Sequence, residues 1–269
     1  MSKRLQSRLA ALKAEGRAGL VPFFSVGDPD LGTSRDAILA AAEGGADVIE
    51  LGVPFSDPIA DGAVIQESSQ RALRAGSSLP RVLEMVGWLR ARTAVPLVLF
   101  GYYNPFFRYG DDTFARDAAA AGADAVLVTD LPPEEAGGMV SACRRSGLAS
   151  IFLLAPTSNE ARMRAVADVA SGFVYMVSVT GVTGARSSAP AGIEELVARA
   201  REITGLPMGV GFGISTPAQA ADVARYAELV VVGSALVRRI FDAGRSGAVE
   251  AARSFVCELR GGIDAVRRN

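Results

Sequence analysis

The sequence predicts an α/β protein of the (β/α)8 barrel class with an extra helix at its N-terminus. Eight short apolar runs recur along the 269 residues, and amphipathic helical patterns separate them. The runs are apolar throughout instead of alternating, which is typical of parallel strands covered on both faces. Because this fold usually has about 250 residues, we expect residues 1–269 to form a single barrel domain.

The spacing of apolar residues along the chain predicts where the helices and strands lie. Leu5, Leu9 and Leu12 share one face of a predicted N-terminal amphipathic helix. Strands are predicted at 20–26, 48–51, 97–101, 125–128, 151–154, 173–177, 208–212 and 229–232. Helices are predicted at 36–43, 81–91, 133–145, 159–169, 193–203, 217–226 and 235–241. A doubly wound open sheet is the alternative fold, but no G-x-G-x-x-G motif follows the first strand.

Composition narrows the classes of function. A net charge of −1 and a pI of about 5.7 give no basic surface for nucleic acid or for an anionic membrane. No apolar run approaches the roughly 20 residues of a membrane span, and the N-terminus lacks the apolar core of a signal peptide. We therefore expect a cytoplasmic protein. Cys143 and Cys257 stand alone in two helical patterns, so we expect buried thiols and no disulfide or zinc site.

The segment VIELGVPFSDPIAD at 48–61 carries two candidate functional carboxylates, Glu50 and Asp61. Glu50 lies inside an apolar strand, where a carboxylate is costly unless it is paired or used, and Asp61 follows eleven positions later. The chain has no histidine, and its only lysines, Lys3 and Lys13, fall in the first helix. Proton chemistry would therefore depend mainly on carboxylates. The alternatives are that Glu50 caps a helix or pairs with an arginine and that Asp61 forms a turn.

Glycine-rich turns follow the last two strands. Residues 211–215 read GFGIS after the seventh strand, and Gly233-Ser234 follows the eighth strand just before a helix. Glycines allow close approach of the backbone, and amides at a helix N-terminus attract anions. The two turns predict a phosphate site, although a purely conformational role is possible for each. The long loop 180–190 predicts a lid that carries Arg186, and aromatic side chains at the strand ends favour a flat apolar substrate.

Five segments in register resemble the tryptophan synthase alpha subunit family. They are IELGVPFSDPIADG at 49–62, YNP at 103–105, DLPPEE at 130–135, TGVTGAR at 180–186 and GFGIS at 211–215. The resemblance implies a (β/α)8 barrel that cleaves indole-3-glycerol phosphate by a retro-aldol reaction to indole and glyceraldehyde 3-phosphate. It implies no metal and no cofactor on this chain. It also implies a beta subunit as partner, in an alpha2beta2 heterotetramer that carries pyridoxal phosphate on the beta subunit.

The resemblance also implies roles for residues. Glu50 matches the family's acid/base glutamate and Asp61 its second carboxylate. The indole pocket falls on Phe23, Phe100, Tyr102, Leu127, Thr129, Leu153, Tyr175, Phe212 and Val231. The phosphate ligands fall on Gly184, Gly213, Gly233 and Ser234, and loop closure on Thr183 and Arg186.

The loop between the carboxylates is the expected docking surface for the partner. We predict that Pro54, Ser56, Asp57 and Pro58 form a stiff, exposed segment there. Where the family usually has Asp-Gly-Pro, this chain has Asp61-Gly62-Ala63, so we expect a looser loop.

Three other functions remain open at this point. A stand-alone lyase would release free indole without a partner. Another phosphosugar barrel, an isomerase or an epimerase, would share the phosphate loops but usually has different acid/base or metal residues. A barrel that has lost catalysis and only activates a beta subunit is the non-enzymatic alternative, and the presence of both Glu50 and Asp61 argues against it.

Overall fold

The computed structural model describes residues 2–177, 192–211 and 213–266. Eight parallel strands pair in chain order and β1 pairs with β8, so the sheet closes into a barrel. The predicted (β/α)8 fold is confirmed, and each strand lies within two residues of its predicted start. The strands are β1 (Gly19–Ser25), β2 (Ile49–Gly52), β3 (Leu97–Gly101), β4 (Ala125–Val128), β5 (Ala149–Leu154), β6 (Val174–Val177), β7 (Met208–Gly211) and β8 (Leu229–Val232).

Helices surround the barrel, and the predicted extra N-terminal helix is present. They are α1 (Lys3–Ala14), α2 (Leu31–Glu43), α3 (Ala63–Arg74), α4 (Leu79–Arg90), α5 (Tyr103–Tyr109), α6 (Asp111–Ala121), α7 (Gly137–Ser146), α8 (Glu160–Val169), α9 (Ile193–Thr204), α10 (Pro217–Ala224) and α11 (Ser234–Asp264). Within α11, Gly244 has non-helical dihedral angles and kinks the helix.

Some helices differ from the sequence prediction. The pattern missed α3, α5 and α6. In α3 the buried residues are small or polar, namely Ser68, Ser69 and Ala72. Helix α7 begins at Gly137 instead of 133, since residues 133–136 form a turn. Helix α11 continues far beyond the predicted end at 241.

Helix α1 closes the N-terminal end of the barrel. Its Leu5 and Leu12 are buried in the same apolar cluster as Val21, Val98 and Phe173, which lie on the strands and on the segment before β6. Burying apolar side chains is the main favourable contribution to folding. The helix therefore seals the end of the barrel opposite to the end where an active site is expected.

At this N-terminal end of the barrel, hydrogen bonds from side chains to backbone amides join neighbouring strands in pairs. Asp47 precedes β2, and its carboxylate accepts a hydrogen bond from the Leu20 amide (2.7 Å). Asp124 precedes β4 and accepts in the same way from the Leu97 amide (2.9 Å). The same arrangement recurs between Ser171 and Ser150 (2.9 Å) and between Glu228 and Met208 (2.8 Å). A side chain before each even-numbered strand thus binds the start of the strand before it.

Two further sequence expectations have structural outcomes. Cys143 is buried as predicted, but Cys257 is exposed. Helix α11 buries Phe255, Val256 and Leu259, and Cys257 lies off that face. No helix in the described parts of the chain is both long and apolar enough to cross a membrane.

Candidate active site

A cavity of about 600 Å³ opens at the C-terminal ends of the strands. In (β/α)8 enzymes this end carries the active site. Most of the residues predicted for the site line the cavity together. They are Glu50, Asp61, Phe23, Phe100, Thr129, Leu153, Tyr175, Val231, Gly213, Gly233 and Ser234.

Glu50 is a buried carboxyl group with no charged partner in the described part of the chain. It lies on β2 beside Phe23 of β1, and only 1% of the residue is exposed. Its Oε1 atom has no hydrogen-bond partner among the described residues. Burial raises the pKa of Glu50 from 4.5 to about 8, because the charged form loses its hydration. The group is therefore protonated at neutral pH and can act as an acid.

Asp61 is a second carboxyl group with a lower pKa. It follows the loop after β2, and its Oδ2 atom accepts a hydrogen bond from the hydroxyl of Tyr102 (3.1 Å). Burial raises the pKa of Asp61 to about 6, and the hydrogen bond from Tyr102 opposes this increase. Asp61 is therefore mainly ionised at neutral pH. One cavity thus holds a proton donor, Glu50, and an anion, Asp61. The hydrogen bond from Tyr102 to Asp61 accounts for part of the difference between their pKa values.

Tyr102 and Leu127 lie behind the cavity wall instead of on it. The Tyr102 hydroxyl accepts from the Ala60 amide (2.9 Å) while it donates to Asp61, and its ring stacks on Phe55 with centroids 5.3 Å apart. Tyr102 comes one residue after β3 ends, so its side chain turns toward the loop. Leu127 is completely buried in the apolar cluster that also holds Val98 and Ile151.

Aromatic side chains form the apolar wall of the cavity. The rings of Phe23 and Phe100 pack edge to face, with centroids 5.2 Å apart. A β-carbon at position 52 would lie 2.5 Å from the Phe23 ring, so glycine is needed there for this packing. Tyr175 is similarly accommodated by Gly211. Burial is the main cause that raises the pKa of the Tyr175 hydroxyl, followed by the nearby carboxyl groups of Glu50 and Asp61.

The other end of the cavity is formed by β7, β8 and α11. Gly213 has a φ of 67°, a conformation that favours glycine. Gly233 is the residue before α11 and Ser234 its first residue, so backbone amides of the first helical turn are available to an anion. The predicted residues Phe212, Thr183, Gly184 and Arg186 lie outside the described residues.

Sequence reasoning missed several residues of the cavity wall. They include Ile65, Val177, Ile214, Arg238, Arg239, Asp242 and Phe255. A signal existed for Arg238, which follows Ser234 by four positions in a segment predicted to be helical, because such residues share one helix face. No comparable signal pointed to Phe255, since the kink at Gly244 brings this later part of α11 back to the cavity.

The loop between the carboxylates is only partly exposed. Ser56 and Asp57 are exposed as expected, but Pro54 and Pro58 are buried, and they line a small crevice together with Phe23 and Phe100. Ile59, which was not predicted, is 86% exposed.

Side chains of α3 hold this loop in place. Gln66 donates to the Asp61 carbonyl (2.8 Å), and Gln70 donates to the Ser56 carbonyl (2.9 Å). Ser69 both donates to and accepts from the backbone of Phe55 (2.9 Å each). Ala63 is the first residue of α3, a position that proline also suits. Hydrogen bonds therefore supply a constraint where the family usually has a proline.

Comparison with known proteins agrees with this geometry. The model of the family described as tryptophan synthase alpha chain matches residues 9–261. Tryptophan synthase alpha chain from Citrifermentans bemidjiense is 53% identical over 263 residues, which are 97% of each chain. The protein of the same description from Geobacter sulfurreducens is 54% identical over 263 residues, 97% of this chain and 98% of the relative.

Solved structures give the same result. Tryptophan synthase subunit alpha from Legionella pneumophila superposes with a TM-score of 0.91 at 36% identity, covering 99% of this chain and 100% of that one. A chain of Mycobacterium tuberculosis tryptophan synthase superposes with a TM-score of 0.90 at 39% identity, covering 100% of both. This chain belongs to the tryptophan synthase alpha chain family, the lyase component that cleaves indole-3-glycerol phosphate.

Proposed function

We propose that Glu50 and Asp61 catalyse the retro-aldol cleavage of indole-3-glycerol phosphate in this cavity. The observation that supports this assignment best is the presence of two carboxyl groups with pKa values of about 8 and about 6 in one largely apolar cavity. The first is protonated and the second ionised at neutral pH, which is the pair of states that the reaction requires.

Glu50 acts twice in this mechanism. Its proton is delivered to C3 of the indole ring, which converts a poor leaving group into a good one. The Glu50 carboxylate then accepts the proton of the glycerol hydroxyl next to the ring while the carbon–carbon bond breaks. The bonding electrons return to the ring, and the carbon that carried the hydroxyl becomes the aldehyde of glyceraldehyde 3-phosphate.

Asp61 and the cavity wall stabilise the reacting substrate. The Asp61 carboxylate accepts the indole N–H and stabilises the positive charge that develops on the ring after protonation. Phe23, Phe100 and Leu153 provide apolar contacts for the ring. The amides of Gly213, Gly233 and Ser234 hold the phosphate at the opposite end. We keep Phe212, Gly184, Thr183 and Arg186 in the roles that the family resemblance implies.

We also infer a partner. The family supports a beta subunit, and we propose an alpha2beta2 complex with pyridoxal phosphate on the beta subunit. The exposed side chains Ser56, Asp57 and Ile59 of the loop after β2 are the proposed contact surface, with Phe107 of α5, which is 64% exposed. Binding there would act through the loop that carries Asp61. We further propose a single domain over residues 1–269 and a cytoplasmic location, as the family's biosynthetic role suggests.

The test is indole formation from indole-3-glycerol phosphate by the purified chain, with and without a cognate beta subunit. We expect slow release by the chain alone and a large acceleration with the partner. The variant Glu50→Gln serves as the inactive control. Rapid release that the partner does not change would favour the stand-alone lyase. No indole under either condition would rule out the lyase reaction.

A further inference from the structure

Arg238 is a cationic side chain that lines the active-site cavity and has no partner within the described ranges. It lies on α11, it is exposed, and no hydrogen bond or ion pair joins it to any other described residue. Exposed arginines elsewhere in the described chain are commonly paired, as Arg162 is with Glu134 (2.8 Å). A cation left free at a cavity wall is available to a bound anion.

Among the described residues, the other titratable groups at the cavity leave this task to Arg238. Arg239, the second arginine at the wall, is already paired with Glu258 (3.2 Å) and packs over the Phe255 ring at 4.4 Å. The remaining titratable acids among the described wall residues are Glu50, Asp61 and Asp242. Both lysines of the chain belong to α1, which closes the opposite end of the barrel.

Arg238 lies at the end of the cavity assigned to phosphate. Ser234 is the first residue of α11, and Arg238 follows one turn later, so both side chains project from the same face and line the same cavity. Amides at a helix N-terminus offer the equivalent of only about half a positive charge. A phosphate monoester carries up to two negative charges, so the amides alone leave most of that charge without compensation.

We propose that Arg238 is a specificity-determining residue, which pairs with the substrate phosphate beside the backbone amides and selects phosphorylated over unphosphorylated ligands. Asp242 lies one further turn along α11 and lines the same wall. Its carboxylate repels the phosphate, so Arg238 and Asp242 have opposite effects on phosphate affinity. The assignment rests on the proposed lyase function and names the side chain that recognises the charged end of its substrate.

Binding of glycerol 3-phosphate by the purified chain, measured by titration calorimetry, tests this assignment directly. We expect Arg238→Met to raise the dissociation constant about tenfold and Asp242→Asn to lower it about twofold, as expected for charge pairs near a protein surface. Binding of uncharged indole should not change in either variant. Arg225→Met, which removes one exposed arginine from the end of α10, is the matched control and should have no effect.

Two more measurements distinguish charge from shape. Arg238→Lys keeps the charge and should recover most of the lost affinity, and high salt should reduce the difference between wild type and Arg238→Met. With indole-3-glycerol phosphate as substrate, KM should rise in Arg238→Met while kcat is unchanged.

Three results would overturn the assignment: an unchanged dissociation constant in Arg238→Met, a lysine variant as weak as the methionine variant, or equal weakening of indole. If the wild-type chain releases indole while Arg238→Met binds glycerol 3-phosphate normally, only this inference fails. If the wild-type chain releases no indole with or without a beta subunit, the proposed function fails, and the affinity series still decides the role of Arg238.

Discussion

The two ends of the barrel bury carboxyl groups equally well but surround them differently. At the N-terminal end, Asp124 is fully buried and accepts from Arg90 (2.8 Å), Arg4 (2.9 Å) and the Leu97 amide (2.9 Å). At the C-terminal end, Glu50 is 1% exposed, and its Oε1 atom has no partner among the described residues. Asp124 and Glu50 are therefore equally buried, but they differ in the hydrogen-bond donors that surround them.

This difference separates stability from chemistry within one fold. Asp47 repeats the arrangement of Asp124, with Arg260 (2.7 Å), Arg17 (3.3 Å) and the Leu20 amide (2.7 Å) around it. Such bonds hold the ends of strands together, and removing one partner would leave a buried charge without compensation. A carboxyl group without partners costs stability and gains a raised pKa, which an acid catalyst needs.

The largest effect is expected at the C-terminal end. Glu50→Gln keeps the size of the side chain and removes its proton, so indole formation should fall by about 10² to 10⁴, the usual contribution of general acid–base catalysis. The measurement is steady-state indole release from indole-3-glycerol phosphate. Near-normal turnover would remove Glu50 from the mechanism.

The same variant should be more stable than wild type. Between pH 4.5 and 8 the unfolded chain holds fewer protons at Glu50 than the folded chain, because folding raises its pKa to about 8. Wild-type stability should therefore decrease as the pH rises through this range, by up to about 3 kcal/mol at pH 7. Glu50→Gln should lack this decrease. The measurement is urea unfolding of both proteins at pH 5 and pH 8. The same change in the free energy of unfolding for wild type and Glu50→Gln between these pH values would contradict the account.

At the N-terminal end the expected effect is on stability alone. Asp124→Asn leaves Arg4 and Arg90 without their shared carboxylate and should lower the free energy of unfolding by about 3 kcal/mol or more. Activity per folded molecule should stay unchanged. Asp112→Asn, which removes an exposed partner of Arg145, is the control and should change stability by less than about 1 kcal/mol. An equal decrease in the free energy of unfolding in the two variants would show that burial of the ion pair does not determine its contribution to stability.

The pH dependence of activity should show both carboxyl groups of the cavity. We expect kcat/KM to rise as Asp61 ionises near pH 6 and to fall as Glu50 loses its proton near pH 8. Outside this range the rate constant should change about tenfold per pH unit. A profile that stays flat from pH 5 to pH 9 would contradict the assignment of acid and anion.

A smaller effect should follow from Tyr102→Phe. The Tyr102 hydroxyl donates to Asp61 and lowers its pKa, so removing the hydroxyl should move the acidic limb of the profile to higher pH. The basic limb, which belongs to Glu50, should not move. Loss of activity at all pH values with both limbs in place would instead indicate that Tyr102 contributes only through packing.

Local patterns in the sequence predicted the strands and singled out Glu50 and Asp61, which the structure brings to one cavity. Continuous apolar runs indicate buried parallel strands, and a Glu within such a run, here Glu50, has few explanations besides function or an ion pair. The missed helix α3 shows the limit of that pattern. Its buried face is formed by serines and an alanine, which carry no hydrophobic periodicity.

Other features depend on contacts between distant residues. The family resemblance assigned Tyr102 to the indole pocket, and the structure shows in addition that its hydroxyl bonds Ala60 and Asp61 of the loop after β2. Gly-Ala-Asp segments precede both β2 and β4, but the role of their aspartates in joining strand ends requires partners such as Arg260, which is 213 residues from Asp47. Such partners have no signal in the local sequence.

The protonation state of Glu50 tests the central claim most directly. The measurement is the infrared difference spectrum between wild type and Glu50→Gln, recorded from pH 4 to pH 10, in which the band of the protonated carboxyl group belongs to Glu50 alone. The structure predicts that this band persists through neutral pH and disappears with a midpoint near pH 8. A midpoint near the ordinary glutamate value of 4.5 would show that Glu50 is charged at neutral pH and would contradict the account.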